Sequence, residues 1–138
     1  MKLKVILGIA ALLVVFIVSC QNEKGIEFDR YYSAGSVVYQ ANCQNCHGVH
    51  GEGLQGLIPP LTDSAFLKNN LHALPCLLKN GLTGKIKITQ KEFEGQMPKT
   101  ALNPIEIAQA LTYINNTFGN NLGTVTVENV NADLAACR

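Results

Sequence analysis

The sequence predicts a mainly helical fold on two observations. Apolar residues recur at helical spacing in two well-separated segments. The one stretch with strand-like alternation, Lys85 to Thr89, is too short and isolated to suggest a sheet. At 138 residues the chain is about one domain long, enough for a modest core and one site.

Each element has a local reason. From Tyr31 to Asn42, the residues Ala34, Val37, Val38 and Ala41 recur at helical spacing, with Gly35 and Tyr39 four apart on a neighbouring face. This helix delivers the chain into Cys43. Gly48 to Leu61 is glycine-rich and ends in Pro59-Pro60, so it reads as a loop. Thr62 or Asp63 caps a short helix through Leu67, and a second runs from about Pro75 to Asn80 and stops at Gly81. Lys85 to Thr89 is expected as an extended loop. The clearest helix starts at Asn103, with Pro104 at its first position and Glu106 in its first turn. Ile107, Leu111, Ile114 and Phe118 give it one apolar stripe, and Gly119 is placed to end it. In the tail, Val127, Val130, Leu134 and Cys137 share one helical face behind a Thr126 cap.

The beginning of the chain has a different character. Lys2 and Lys4 precede an apolar run from Val5 to Val18, 14 residues long, which is short of the ~20 that a membrane-spanning helix requires. No basic stop-transfer flank follows. The run reads as an export signal, and Ile17-Val18-Ser19-Cys20 resembles a bacterial lipobox. That resemblance implies a signal peptide over residues 1–19, acylation of Cys20, and a lipid anchor on the periplasmic side of a bacterial membrane. Gln21 to Asp29 is polar and aperiodic, so residues 20–29 are expected to form a tether. A chain starting at Cys20 has 9 basic and 10 acidic residues, a net charge of 9 − 10 = −1, which points to no nucleic-acid partner.

The chemistry concentrates in Cys43-Gln44-Asn45-Cys46-His47-Gly48 and the glycines after it. Three patterns overlap there. Gly51, Gly53 and Gly56 have dinucleotide-fingerprint spacing, but a cysteine-histidine cluster precedes them and Ile58-Pro59-Pro60 follows. A nucleotide site requires a strand before the glycines and a helix after them. A structural zinc site requires a second ligand pair, whereas Cys20, Cys76 and Cys137 are scattered, and a thioredoxin-like pair requires a βαβ setting that is missing. The third pattern, Cys-x-x-Cys-His, is that of covalent haem attachment. Two thiols one helical turn apart add to the haem vinyl groups while His47 reaches the iron. Met97 is the only methionine after the signal and sits in Gly95-Gln96-Met97-Pro98, a loop stiffened by proline. It is the favoured sixth ligand; core filling is the plainer alternative. His50 lies too near His47 to reach the other haem face, and His72 reads as a surface or helix-start residue.

The motif, the glycine loop, Pro59-Pro60-Leu61, Gly95-Gln96-Met97-Pro98 and the terminal helix together resemble a class I c-type cytochrome over residues 30–118. The resemblance implies a small all-α, cytochrome c-like fold with short helices around one covalently bound haem c. It also implies that the first and last helices cross, with Gly35 and Tyr39 meeting the Leu111 to Ile114 face. A proline carbonyl is then expected to orient His47, with Pro59 matching best and Pro60 remaining open. Residues 119–138 form an extension packed on the domain. With one cysteine lipidated and two on haem, Cys76 and Cys137 remain for a disulfide, or for two buried free thiols.

These features imply a single-electron carrier with His47 and Met97 on the iron, and no small-molecule substrate. Its partners are a redox protein donor and acceptor; Lys79, Lys85, Lys87, Lys91 and Lys99, set against Glu92 and Glu94, form either a mildly basic docking rim or an ordinary solvated loop. The alternatives are a haem c subunit of a larger complex, or an open-site haem enzyme or sensor in which Met97 is not a ligand.

Overall fold

A computed structural model describes residues 4–10, 12, 23–88 and 90–137. Cys20 and the lipobox lie outside these residues. Residues 4–10 are helical with exposed apolar side chains, and no helix among the described residues is long and apolar enough to cross a membrane. The folded body contains α1 (Glu23–Asn42), α2 (Gln44–His47), α3 (Ser64–Asn69), α4 (Leu74–Asn80), β1 (Leu82–Ile88), β2 (Lys91–Met97), α5 (Pro104–Ile114) and α6 (Val127–Ala135).

The frame is the crossing of α1 and α5. Helix α5 starts where expected, in a full capping box. The Asn103 side chain accepts from the Ile105 and Glu106 N–H groups, and the Glu106 carboxylate accepts from the Asn103 N–H at 2.9 Å. Its stripe of Ile107, Leu111 and Ile114 is buried together with Tyr39, Leu67, Leu74, Leu78, Leu102 and Val130. Gly35 lets the two helices touch: a Cβ there would collide with the Gln109 carbonyl and lie 2.9 Å from the Tyr113 Cβ. The crossing therefore falls on Gln109 and Tyr113, at the edge of the expected Leu111 to Ile114 face. Tyr113 also packs on Tyr39 and Tyr32, at ring-centroid distances of 5.4 and 5.2 Å.

Three expectations differ from the structure. Helix α1 begins at Glu23 rather than near Tyr31, so most of the expected tether is helical. It lacks an apolar stripe of its own in that first stretch, and Phe28 stacking on Tyr32 at 5.6 Å is one contact that continues it. Helix α5 ends at Ile114, before Phe118, because Asn120 lies buried beneath it and donates from Nδ2 to the carbonyls of Ile114 (2.9 Å) and Leu61 (2.8 Å). That side chain satisfies a carbonyl that another turn would have used. Phe118 then turns back at φ 59°, placing its ring 5.3 Å from Tyr39 and 5.9 Å from Tyr113.

The fold is also helix-rich rather than all-α, because β1 and β2 pair as an antiparallel two-stranded hairpin with Leu82 opposite Met97 and Ile88 opposite Lys91; Lys85 to Ile88 and Gly95-Gln96-Met97, expected as loop, lie in its strands. β2 reads Lys-Glu-Phe-Glu-Gly-Gln-Met and has a single large apolar residue in its interior, Phe93, so its own pattern is silent. The usable signal is cross-strand: Lys85 faces Glu94 and Lys87 faces Glu92, the opposite-charge pairs that favour a ladder.

The tail behaves as its sequence suggests. Thr126 caps α6, accepting from the Asn129 N–H, and Val130 is fully buried. Thr112, buried on α5, donates to the Val125 carbonyl and accepts from the Val125 N–H, at 3.2 and 3.0 Å. Cys76 on α4 and Cys137 after α6 lie at disulfide distance, with Cα atoms 5.7 Å apart.

Candidate functional site

The site starts where α1 ends. Cys43 follows α1, and the single turn of α2 carries Cys46 and His47. Gly48 at φ 84° then breaks the helix. Its carbonyl accepts a 2.7 Å hydrogen bond from the hydroxyl of Tyr39, a side chain 1% exposed at the helix crossing. The crossing that builds the fold thus also grips the motif. Burial, reinforced by the Cys43 sulfur, raises the Tyr39 hydroxyl pKa well above its ordinary value, so it stays a donor.

The glycine loop folds back onto the histidine. The Gly53 N–H donates to the His47 carbonyl at 2.8 Å, the Leu61 N–H to the Gly51 carbonyl at 2.7 Å, and a bridge pairs Leu54 with Ile58. Gly53, at φ 68°, has no room for a side chain against Ile58 and Pro59. These turns bring the Pro59 carbonyl to 3.1 Å from His47 Nδ1, while Pro60 makes no such contact. With Nδ1 donating to Pro59, Nε2 carries the free lone pair. Burial holds the His47 pKa below its ordinary value, opposed by the bond to Pro59, and the ring is therefore neutral, the form that binds a metal. Burial, with a smaller contribution from Cys46, pushes the Cys43 thiol up to about 11, while Cys46 is exposed.

These residues open into one cavity, the concave and mostly apolar setting that ligand sites share. Cys43, Cys46, His47 and Pro59 line it, and so does Met97, delivered by the end of β2. Leucines from α3, α4 and α5, with Ile86 and Ile88 from β1, make its walls apolar. Two thiols, a neutral imidazole with a free nitrogen and a thioether within one apolar cavity form a donor set that suits covalently attached haem with two axial ligands. No group of three or more His, Cys, Asp or Glu side chains suited to a bare metal ion occurs among the described residues.

The other histidines lie elsewhere. His72 is 83% exposed, with Nδ1 3.0 Å from the Asp133 carboxylate on α6. His50 is exposed, and its N–H donates to the Glu52 carboxylate at 2.8 Å. Neither lines the cavity. Of the lysines read as a rim, Lys85 pairs loosely with Glu94 at 3.9 Å and Lys91 donates to the Gln55 carbonyl at 3.2 Å. Thr100 and Asn120 do not stand out in the sequence. Thr100 donates from both its N–H and its hydroxyl to the Leu78 carbonyl, each at 3.0 Å. Isolated polar residues of this kind have no spacing signal that announces a tertiary partner.

Comparison with known proteins agrees with this donor set. Residues 32–118 match the cytochrome c family. Two curated relatives, both cytochromes c-552 of Thermus thermophilus, are each 31% identical over 90 residues. The alignments span 62% of this chain, and 68% and 60% of the respective relatives. With Cys43, Cys46, His47 and Met97 all inside the matched span, the chain belongs to the cytochrome c family, whose members bind covalently attached haem c and are generally electron carriers with redox proteins as partners.

Proposed function

We propose that this protein is a class I c-type cytochrome that carries single electrons in a membrane-associated chain, with His47 and Met97 as axial ligands. The observation that carries this reading is that Met97, the sole methionine after residue 1, lines the same cavity as Cys43, Cys46 and His47. Cys43 and Cys46 hold haem c through thioethers, and Pro59 keeps the His47 ring in the orientation and tautomer that expose Nε2. The bound haem supplies reversible one-electron transfer. His47 and Met97 would together hold the iron and leave no position on it for a substrate, and the apolar walls with a thioether donor would favour the reduced state.

Residues 1–19 serve as an export signal, and Cys20 carries the lipid that holds the domain on the periplasmic side of a membrane. The family's members are typically exported, which agrees. Cys76 and Cys137 form a disulfide that holds residues 119–138 onto the domain. The lysines of the hairpin and the Met97 loop form a mildly basic docking rim, supported by the exposed apolar residues Val49, Leu54 and Leu57 on the loop next to Cys46.

A near-infrared absorption scan of the ferric holo-protein is the direct test. The expected result is a sulfur-to-iron charge-transfer band, with no carbon monoxide binding to the reduced protein. A missing band with ready carbon monoxide binding overturns the carrier reading and leaves an open-site enzyme or sensor. Mass spectrometry of the amino-terminal peptide tests the anchor, which an unmodified Cys20 in the mature protein refutes.

A further inference from the structure

The end of α4 and the Met97 loop are built against one another. Gly81, the residue that ends α4, has φ 74° and no space on its α-carbon. A Cβ there would lie 2.5 Å from the Met97 carbonyl oxygen, 2.8 Å from the Lys99 nitrogen and 3.0 Å from the Pro98 carbonyl carbon. All three are backbone atoms and cannot rotate away. One residue beyond, Leu82 pairs with Met97 across the hairpin. Two residues past Pro98, Thr100 places both its N–H and its hydroxyl on the carbonyl of Leu78, in the last turn of α4. The loop is therefore held on both sides of Met97, by β pairing before it and by a doubled hydrogen bond after it, with Gly81 as the close contact between.

Helix α4 is itself immobilised. Leu74 and Leu78 are buried in the core, and Cys76 lies at disulfide distance from Cys137 beyond α6. The same helix lines the cavity with Leu74, Leu77 and Leu78. An element anchored on the core and carrying the loop by its carboxyl end sets where the methionine sulfur sits, because the loop has no helix of its own.

We propose that Gly81, with Thr100 and the Leu78 carbonyl, is the positioning element for Met97: it fixes the loop so that the thioether stays on the iron and external ligands are kept off. This rests on the reading that Met97 is an axial ligand. Gly81 acts through the backbone of residues 97–99, and Thr100 sets the loop's return to α4. A helix stop alone would require only the left-handed conformation, which many glycines supply; the crowding of Gly81 against Met97 is the additional feature.

Gly84 supplies the control. It also has positive φ, 106°, but nothing lies within 4 Å of a Cβ built there. Alanine at Gly84 meets backbone strain without touching the methionine loop. The full-length holo-protein and its Gly81→Ala, Gly84→Ala and Thr100→Val variants are compared in two measurements, the ferric near-infrared band and the affinity for added imidazole. Gly81→Ala is expected to lose most of the band and to bind imidazole about tenfold more tightly, the order of change that a forced backbone shift produces. Thr100→Val, which keeps the N–H bond and removes the hydroxyl, is expected to shift imidazole affinity about threefold in the same direction. Gly84→Ala keeps the band and wild-type imidazole affinity even where its melting temperature falls.

If the wild type shows the band while Gly81→Ala and Gly84→Ala match it in both measurements, the positioning role is overturned and methionine ligation stands. If the wild type lacks the band, methionine ligation fails and this inference with it. If Gly81→Ala does not fold, Thr100→Val decides: imidazole affinity equal to wild type overturns the proposal.

Discussion

Replacing Gly35 by alanine sets two effects of opposite sign against each other. In an isolated helix the change is favourable by about 1 kcal/mol, because glycine gives up more chain entropy on folding. Here the added methyl would strike the Gln109 carbonyl oxygen on α5, lie 2.6 Å from that carbonyl carbon and 2.9 Å from the Tyr113 Cβ. The Gln109 contact is with helix backbone, so relief requires α1 and α5 to move apart, loosening Tyr113 from Tyr39 and Tyr32. Overpacking of this severity belongs near the top of the usual range, about 3 kcal/mol. The net is a loss of about 2 kcal/mol, or roughly 8 °C in melting temperature for a domain of this size. Thermal unfolding of the full-length holo-protein, followed by far-ultraviolet circular dichroism, measures it. A variant that melts at or above the wild-type temperature would refute the close crossing of α1 and α5 at Gly35.

Three further outcomes are expected. Cys76→Ser/Cys137→Ser opens a loop with a sequence separation of 61 and should lower stability by up to about 4 kcal/mol on the chain-entropy model; equal denaturant midpoints under non-reducing conditions would count against the bridge. Thr112→Val leaves the Val125 N–H and carbonyl without their partner and should cost about 2 kcal/mol, read as a lower denaturant midpoint, with a change within experimental error refuting the tail's attachment there. Glu52 accepts hydrogen bonds from its own N–H and that of His50, which hold its pKa below the ordinary 4.5. Its contribution to loop order is thus fully present above pH 4.5 and lost as pH falls through the depressed value. An NMR titration of the Glu52 carboxyl with a midpoint at or above 4.5 would contradict this.

What could be read directly from the chain was local. The Asn103 and Thr126 caps complete their hydrogen bonds within three residues, so neighbouring letters suffice, as does the cap of α3, where the structure chose Asp63 from the pair Thr62 and Asp63. The Cys43, Cys46 and His47 cluster is equally local, since one helical turn brings the three side chains together. Where the reading stopped, a distant partner was at work. Phe118 carries the α5 stripe in phase, yet the helix ends at Ile114 because Asn120 takes the carbonyl there. β2 has almost no strand pattern of its own, and its pairing with β1 rests on residues that face it across the hairpin.

The sequence by itself determined the attachment motif, the helix starts and a short list of residues able to meet an iron. Only the tertiary structure decided which of those residues share a cavity: Pro59 and not Pro60 within reach of His47 Nδ1, Met97 in the cavity, His72 paired with Asp133 away from it. The physical reason is that a cap or a ligand motif is closed by backbone geometry over a few residues. A cavity is closed by loops whose ends are set by the packing of α1 on α5, a contact between residues more than 70 positions apart.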